Sequence, residues 1–147
     1  LRADQFSEAE GRYRAALALE EPILANLPPA DSRRYDITFT LSDLALVQSR
    51  LGEWNDAAVM WQRALDIRKA LSDADPKNVR ALAGVATLYG RLALAARASG
   101  DLDTCIQRSR DELELRERLL AMRTDQAAPR ADRAWAALRL AEALAEV

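Results

Sequence analysis

Histidine is absent from these 147 residues. That removes the side chain most often used as a general base near neutral pH, and the commonest metal ligand. A single cysteine, Cys105, excludes an internal disulfide and suits a reducing compartment, so a cytoplasmic location is expected. Neither sign of charge dominates: 21 Lys and Arg stand against 23 Asp and Glu, a formal charge of −2. A nucleic-acid-binding domain usually shows a strong basic excess instead. No uncharged stretch approaches the roughly 18 apolar residues expected of a bilayer-spanning helix. No secretory leader is recognisable, although the chain opens at Leu1 rather than Met. Glycine and proline number five each and sit mostly where turns are needed. Alternating β-branched runs of strand length are missing, which leaves sheet with little to be built from.

What is plentiful is alanine (30) and leucine (23), both strong helix formers. They are arranged in an internal repeat of 48 residues. Asp4-Gln5-Phe6-Ser7-Glu8-Ala9, Gly52-Glu53-Trp54-Asn55-Asp56-Ala57 and Gly100-Asp101-Leu102-Asp103-Thr104-Cys105 superimpose without gaps. Downstream, Ala16-Leu17-Ala18-Leu19 falls in step with Ala64-Leu65-Asp66-Ile67 and Glu112-Leu113-Glu114-Leu115. Upstream of the turns, Leu44-Ala45 matches Leu92-Ala93 and Leu140-Ala141. A repeat of this length is one helical hairpin that buries its apolar face only by stacking on neighbours.

Helices are expected over about 5–27, 31–51, 54–74, 77–99, 102–123 and 129–147, within an array of about seven in all. Pro22 should kink or end the first. Asp31-Ser32 offers an N-cap for the second. Gly52 and Gly100 supply the positive φ of helix ends, and Asp75-Pro76 and Thr124-Asp125-Gln126 form turns. Pro129 is tolerated in a first helical turn. Gly84 and Gly90, inside a helix, either allow close helix approach or simply weaken it.

The pattern resembles the tetratricopeptide repeat: helix A with a large–small pair, a Gly-Asp-aromatic turn, then helix B with small-x3-aromatic-x2-small. The second unit carries it most fully, as Leu44-Ala45, Gly52-Glu53-Trp54, Ala57, Trp61 and Ala64. The first keeps helix B only, as Phe6, Ala9, Tyr13 and Ala16; the third departs, with Cys105, Ser109 and Glu112 at those positions. The usual unit is about 34 residues, so both helices here are lengthened. Leu65-Asp66-Ile67-Arg68-Lys69-Ala70-Leu71 and Asp75-Pro76-Lys77-Asn78 look like the long-unit arrays of bacterial signalling proteins. The resemblance implies an all-α, right-handed solenoid of antiparallel helix pairs. One domain, 1–147, would consist of units 1–30 (helix B only), 31–76, 77–126 and 127–147 (helix A only). Both cuts fall between the helices of a unit, so the chain reads as a slice of a longer array. Self-association through the uncovered first and last helices is then expected.

In this family the groove-facing residues of helix A recognise partners. Carried over by register, they are Phe39, Ser42, Asp43, Leu46, Ser49 and Arg50, then Thr87, Gly90, Arg91, Leu94 and Arg97, then Trp135, Leu138, Arg139 and Glu142. Aromatics and leucines mixed with arginine suit protein or peptide contact. Leu46, Leu94 and Leu138 have a second reading, as packing between neighbouring A helices. The family's carboxylate clamp has no counterpart, because Leu46, Leu94 and Glu142 occupy its asparagine position. Arg91 and Arg139 share a register and form a candidate basic ladder for an acidic peptide. Trp54, Trp61 and Cys105 read as packing. The run Arg110-Asp111-Glu112-Glu114-Arg116-Glu117-Arg118 reads as a solvated face of alternating charge rather than a catalytic carboxylate pair.

These residues point to a protein–protein interaction module, without cofactor, metal, nucleic-acid or membrane partner. A regulatory sensor that takes a short peptide or small ligand and relays its binding to an attached effector is the alternative. An enzyme is disfavoured.

Overall fold

The computed structural model describes residues 3–122 and 127–147 of the chain, and among them the regular secondary structure is all α-helix, joined by short turns, with no strand. The helices are α1 (Ala3–Leu24), α2 (Arg34–Leu51), α3 (Trp54–Ala74), α4 (Val79–Ala98), α5 (Leu102–Met122) and α6 (Ala127–Ala145). That is six among the described residues, where about seven were expected. Each segment bounded by turn signals is one continuous helix, and Pro22 lies inside α1 without dividing it. The turn expected at Thr124-Asp125-Gln126 lies outside the described residues.

The helix ends follow from local chemistry. Gly52 (φ 85°) and Gly100 (φ 79°) adopt the left-handed conformation that terminates α2 and α4, a region costly for a side-chain-bearing residue. The Asn78 side chain accepts from the Ala81 backbone N–H at 3.0 Å and caps α4, a bond typically worth about 1 kcal/mol. Asp101 does the same for Thr104 of α5, and those hydrogen bonds hold its carboxyl below the usual range. Asp31 does not cap α2 as its sequence suggested. Its carboxylate instead takes the Arg33 backbone N–H (2.9 Å) and the Arg33 guanidinium, and α2 starts at Arg34. Those bonds lower the Asp31 pKa to about 2. Pro129 falls in the first turn of α6, where its missing N–H goes unused.

The chain divides into two compact units, Leu1–Asp75 and Pro76–Val147. In the first, α1 packs on α2 and α2 on α3; in the second, α4 packs on α5 and α5 on α6. The repeat is visible in burial itself. On α3, Ala57, Trp61, Ala64 and Arg68 are buried; on α5, the residues 48 positions on, Cys105, Ser109, Glu112 and Arg116, are buried too. Trp54, at the start of α3, is only half-buried. The core of the first unit includes Leu41, Leu44, Ala45, Trp61 and Leu65, none more than 2% exposed. In the second unit one apolar cluster joins Leu82, Ala86 and Leu119. Another joins Ala93 and Ala96 of α4, Cys105 of α5 and Ala143 of α6.

Among the described residues one helix, α4, has the length and mean hydropathy of a membrane-crossing segment, although it contains no long uncharged run. Arg80, Arg91 and Arg97 interrupt the helix without lowering its average enough to matter. The apolarity has a packing explanation: eleven of the twenty α4 residues are buried within its unit.

Candidate interaction surface and the ionic network behind it

Where α3 carries Ala64, α5 carries Glu112, and this exchange organises the second unit. The Glu112 side chain is 1% exposed, and a buried carboxylate needs a partner. Arg139 of α6 provides it, donating Nε to Oε2 at 2.9 Å and an Nη to Oε1 at 2.7 Å. This is the bidentate geometry in which arginine binds carboxylates most strongly. Room for the carboxylate comes from Gly90 on α4: a Cβ built there would lie only 2.7 Å from Glu112 Oε2. Gly90 therefore serves close approach.

Arg116, one turn beyond Glu112, is 3.6 Å from it and also buried. Its guanidinium donates to Thr87 of α4 at 3.1 Å and to Asp132 of α6 at 3.2 Å, tying three helices together. The first unit holds a counterpart, because Arg68 and Arg116 are 48 residues apart. Buried Arg68 donates Nε to Thr38 Oγ1 at 2.9 Å, and its guanidinium carbon lies 4.9 Å from the Tyr35 ring and 5.3 Å from the Phe39 ring. The charged run on α5 is thus not wholly a solvated face. Glu112 and Arg116 point inward, while Arg110, Glu114, Glu117 and Arg118 are exposed.

The predicted site residues fall into two sets. Phe39, Ser42, Asp43, Leu46, Ser49 and Arg50 belong to the first unit; those from Thr87 onward belong to the second. In the first, Phe39 is 46% exposed with its ring edge-on to Tyr35. The Ser42 and Ser49 hydroxyls are turned back onto their own helix, bonding the Thr38 and Leu46 carbonyls. Asp43 is exposed yet engaged by Tyr13 of α1, and the Asp43 charge raises the Tyr13 pKa. Arg50 is exposed.

In the second unit the structure joins two stripes. Thr87, Arg91, Leu94 and Arg97 are exposed on α4, and Trp135, Leu138 and Glu142 on α6. Arg97 bonds both Glu142 (3.1 Å) and Glu146, and Arg116 links Thr87 to Asp132. These ties hold the stripes side by side. Trp135 is 62% exposed, and its α6 neighbours Ala136 and Ala143 face inward instead. Arg139 does not stand in a basic ladder with Arg91: its guanidinium is committed to Glu112, leaving Arg91 as the exposed member of that register.

A separate cleft of about 350 Å³ opens in the first unit, with Ile37 and Ile67 beside the Arg63–Glu21 pair and Arg34. Arg34 donates to the carbonyls of Leu24 and Leu27 and so satisfies the end of α1. No group of three or more acidic or cysteine side chains is placed to hold a metal ion among the described residues. Cys105 is buried, and burial pushes its thiol above the ordinary value.

Compared with protein-family models and with curated proteins, the chain matches none.

Sequence reasoning missed the network of Glu112, Arg116, Asp132 and Arg139. A signal for it exists in the repeat. Moving from the first full unit to the next, helix B gains volume (Ala64 to Glu112) where helix A loses it (Ser42 to Gly90). A paired change of that kind marks two positions in contact.

Proposed function

We propose that this chain is a protein–protein interaction module of the tetratricopeptide kind, serving as a scaffold within a larger bacterial protein. The observation that carries this reading is Trp135, an exposed indole on α6 one turn from the exposed Leu138. Tryptophan and arginine dominate the energetics of protein interfaces. Covering the exposed part of one indole is worth on the order of 3 kcal/mol. The ionic network beneath holds that surface in place, so little ordering entropy is lost when a partner docks. The test compares proteins captured from lysate by the wild-type chain, by Trp135→Ala and by Arg12→Ala. Arg12 lies on α1, in an exposed pair with Glu8. Partners retained by Arg12→Ala and lost by Trp135→Ala support the reading; identical sets from all three refute it.

The cleft beside Arg63 favours a second reading, a regulatory module that takes a short peptide or small ligand and controls an attached effector. Its volume is at the lower end of the roughly 300–1,000 Å³ of ligand sites. Amide shifts confined to the lining of that cleft, on adding a ligand, would favour this reading over the first.

A further inference from the structure

Three consecutive helices of the first unit wall the cleft of about 350 Å³: the end of α1, the first turn of α2 and the second half of α3. Its apolar surface comes from Leu24, Ile37 and Ile67, one from each helix. Ile37 is 5% exposed and lies deepest, whereas Leu24 and Ile67 are partly covered. Branched aliphatic side chains lining a concave site favour an apolar body over water.

The polar part of the lining is unbalanced. Arg34 and Arg63 bring two guanidinium groups, and Glu21 is the one carboxylate among the described residues that line the cleft. Arg63 donates one Nη to Glu21, and its other Nη lies 3.8 Å from the Met60 sulfur, a weak acceptor. Arg34 spends Nε and one Nη on the Leu27 and Leu24 carbonyls. Those acceptors are uncharged, so they satisfy hydrogen bonds without neutralising the guanidinium. The Asp31 carboxylate, near enough to feel the Arg34 charge, is bonded to Arg33. The lining thus holds one positive charge in excess, beside three aliphatic side chains. A guanidinium offers a carboxylate two parallel N–H bonds. A compact, strongly hydrated anion such as phosphate would gain nothing from the aliphatic wall.

We propose that this cleft binds a small monocarboxylate with an apolar body, its carboxylate held by Arg63 and Arg34 and its hydrocarbon part against Leu24, Ile37 and Ile67. This rests on the second reading above, that the cleft takes a ligand, and adds the chemical class of that ligand. Glu21 shares Arg63 with the bound carboxylate and repels it, so removing the Glu21 charge tightens binding.

The test is an NMR titration of the isotope-labelled full chain, followed by amide shifts, with phenylpropionate as the probe. Its neutral amide phenylpropanamide, the cation phenylpropylamine and inorganic phosphate are the comparisons. Phenylpropionate should shift the amides of the cleft lining with a Kd on the order of 1 mM. The neutral amide should bind about fivefold more weakly, and the amine and phosphate should leave the lining unshifted. Arg63→Gln should weaken binding of the acid about fivefold, and Glu21→Gln should strengthen it about threefold. Both side chains of that pair are some two-fifths exposed, so neither substitution should change the helical circular dichroism. Equal binding of the amide or the amine at the same amides overturns the carboxylate preference and leaves the cleft a ligand site. Phosphate binding as tightly as the acid overturns the apolar body. Acid binding that Arg63→Gln leaves unchanged, or that Glu21→Gln weakens, overturns the assigned roles. Shifts from none of the four probes at concentrations on the order of 10 mM overturn this inference and the second reading together.

Discussion

Replacing Gly90 by alanine tests whether the buried carboxylate of Glu112 organises the second unit. The added methyl carbon would lie 2.7 Å from Oε2 and 2.8 Å from Oε1 and Cδ of Glu112, closer than such atoms can stand. The carboxylate must move, and it has no unused freedom: it is 1% exposed, with both oxygens bound by Arg139. Alanine itself favours helix over glycine by about 1 kcal/mol. Breaking a buried ion pair costs about 3–5 kcal/mol. Arg139 is about a quarter exposed and recovers some hydration, so the lower end of that range applies. The net expectation is a loss of about 2 kcal/mol. With a urea slope of about 2 kcal/mol per molar, the midpoint of the transition should fall by about 1 M. Urea unfolding followed by far-ultraviolet circular dichroism measures it. The sign should reverse once the carboxylate is gone: in a Glu112→Ala background, Gly90→Ala should stabilise by about 1 kcal/mol. Gly11 is the control, since nothing lies within 4 Å of a Cβ there; Gly11→Ala should stabilise by up to about 1 kcal/mol. If Gly90→Ala is as benign as Gly11→Ala, the reasoning is wrong.

Three further outcomes are expected. Ala64 is fully buried on α3, and Ala64→Leu should overpack it by about 1–3 kcal/mol; an unchanged denaturation midpoint would contradict the close approach of α2 and α3. Cys105 is 3% exposed and its thiol pKa is raised by burial, so a disulfide reagent at pH 8 should label it slowly in the native chain and rapidly in urea. Equal rates would show that the thiol is accessible. Asp31 has a pKa depressed to about 2 by its hydrogen bonds from Arg33. The favourable linkage is therefore fully present above the ordinary aspartate value, weakens as the pH falls below it and is lost through pH 2. Carboxyl NMR should place the Asp31 midpoint near 2 and return it toward the ordinary value in Arg33→Ala.

Much of this architecture is local and was legible in the chain. Helix positions follow from composition and periodicity, and the ends of α2 and α4 from residues that act within one turn, Gly52 and Gly100. The internal register also carried burial, since the positions that Ala57, Trp61 and Ala64 share with Cys105, Ser109 and Glu112 are buried in both units. The start of α2 was misplaced by three residues because Asp31 has two local uses, and the Arg33 side chain favours the turn over the cap.

The sequence by itself therefore determined the helices and their spacing, because these depend on neighbours within a few residues. Only the tertiary structure decided which charges are interior. Glu112 and Arg116 have the same spacing that an exposed charged helix face would have, and pairing at i,i+4 is equally available in water. What separates the two cases is distant in sequence: the missing side chain of Gly90, which makes the space, and Arg139, which neutralises the carboxylate. The fate of Arg139 follows from the same cause. Its register suggested an exposed arginine beside Arg91, but a desolvated carboxylate binds a guanidinium far more strongly than water-exposed groups do. Trp135 is the converse. Its repeat register had already set it apart from Trp61, and the structure supplies the reason it faces solvent: α6 packs against its unit through Ala136, Ala143 and Arg139 instead.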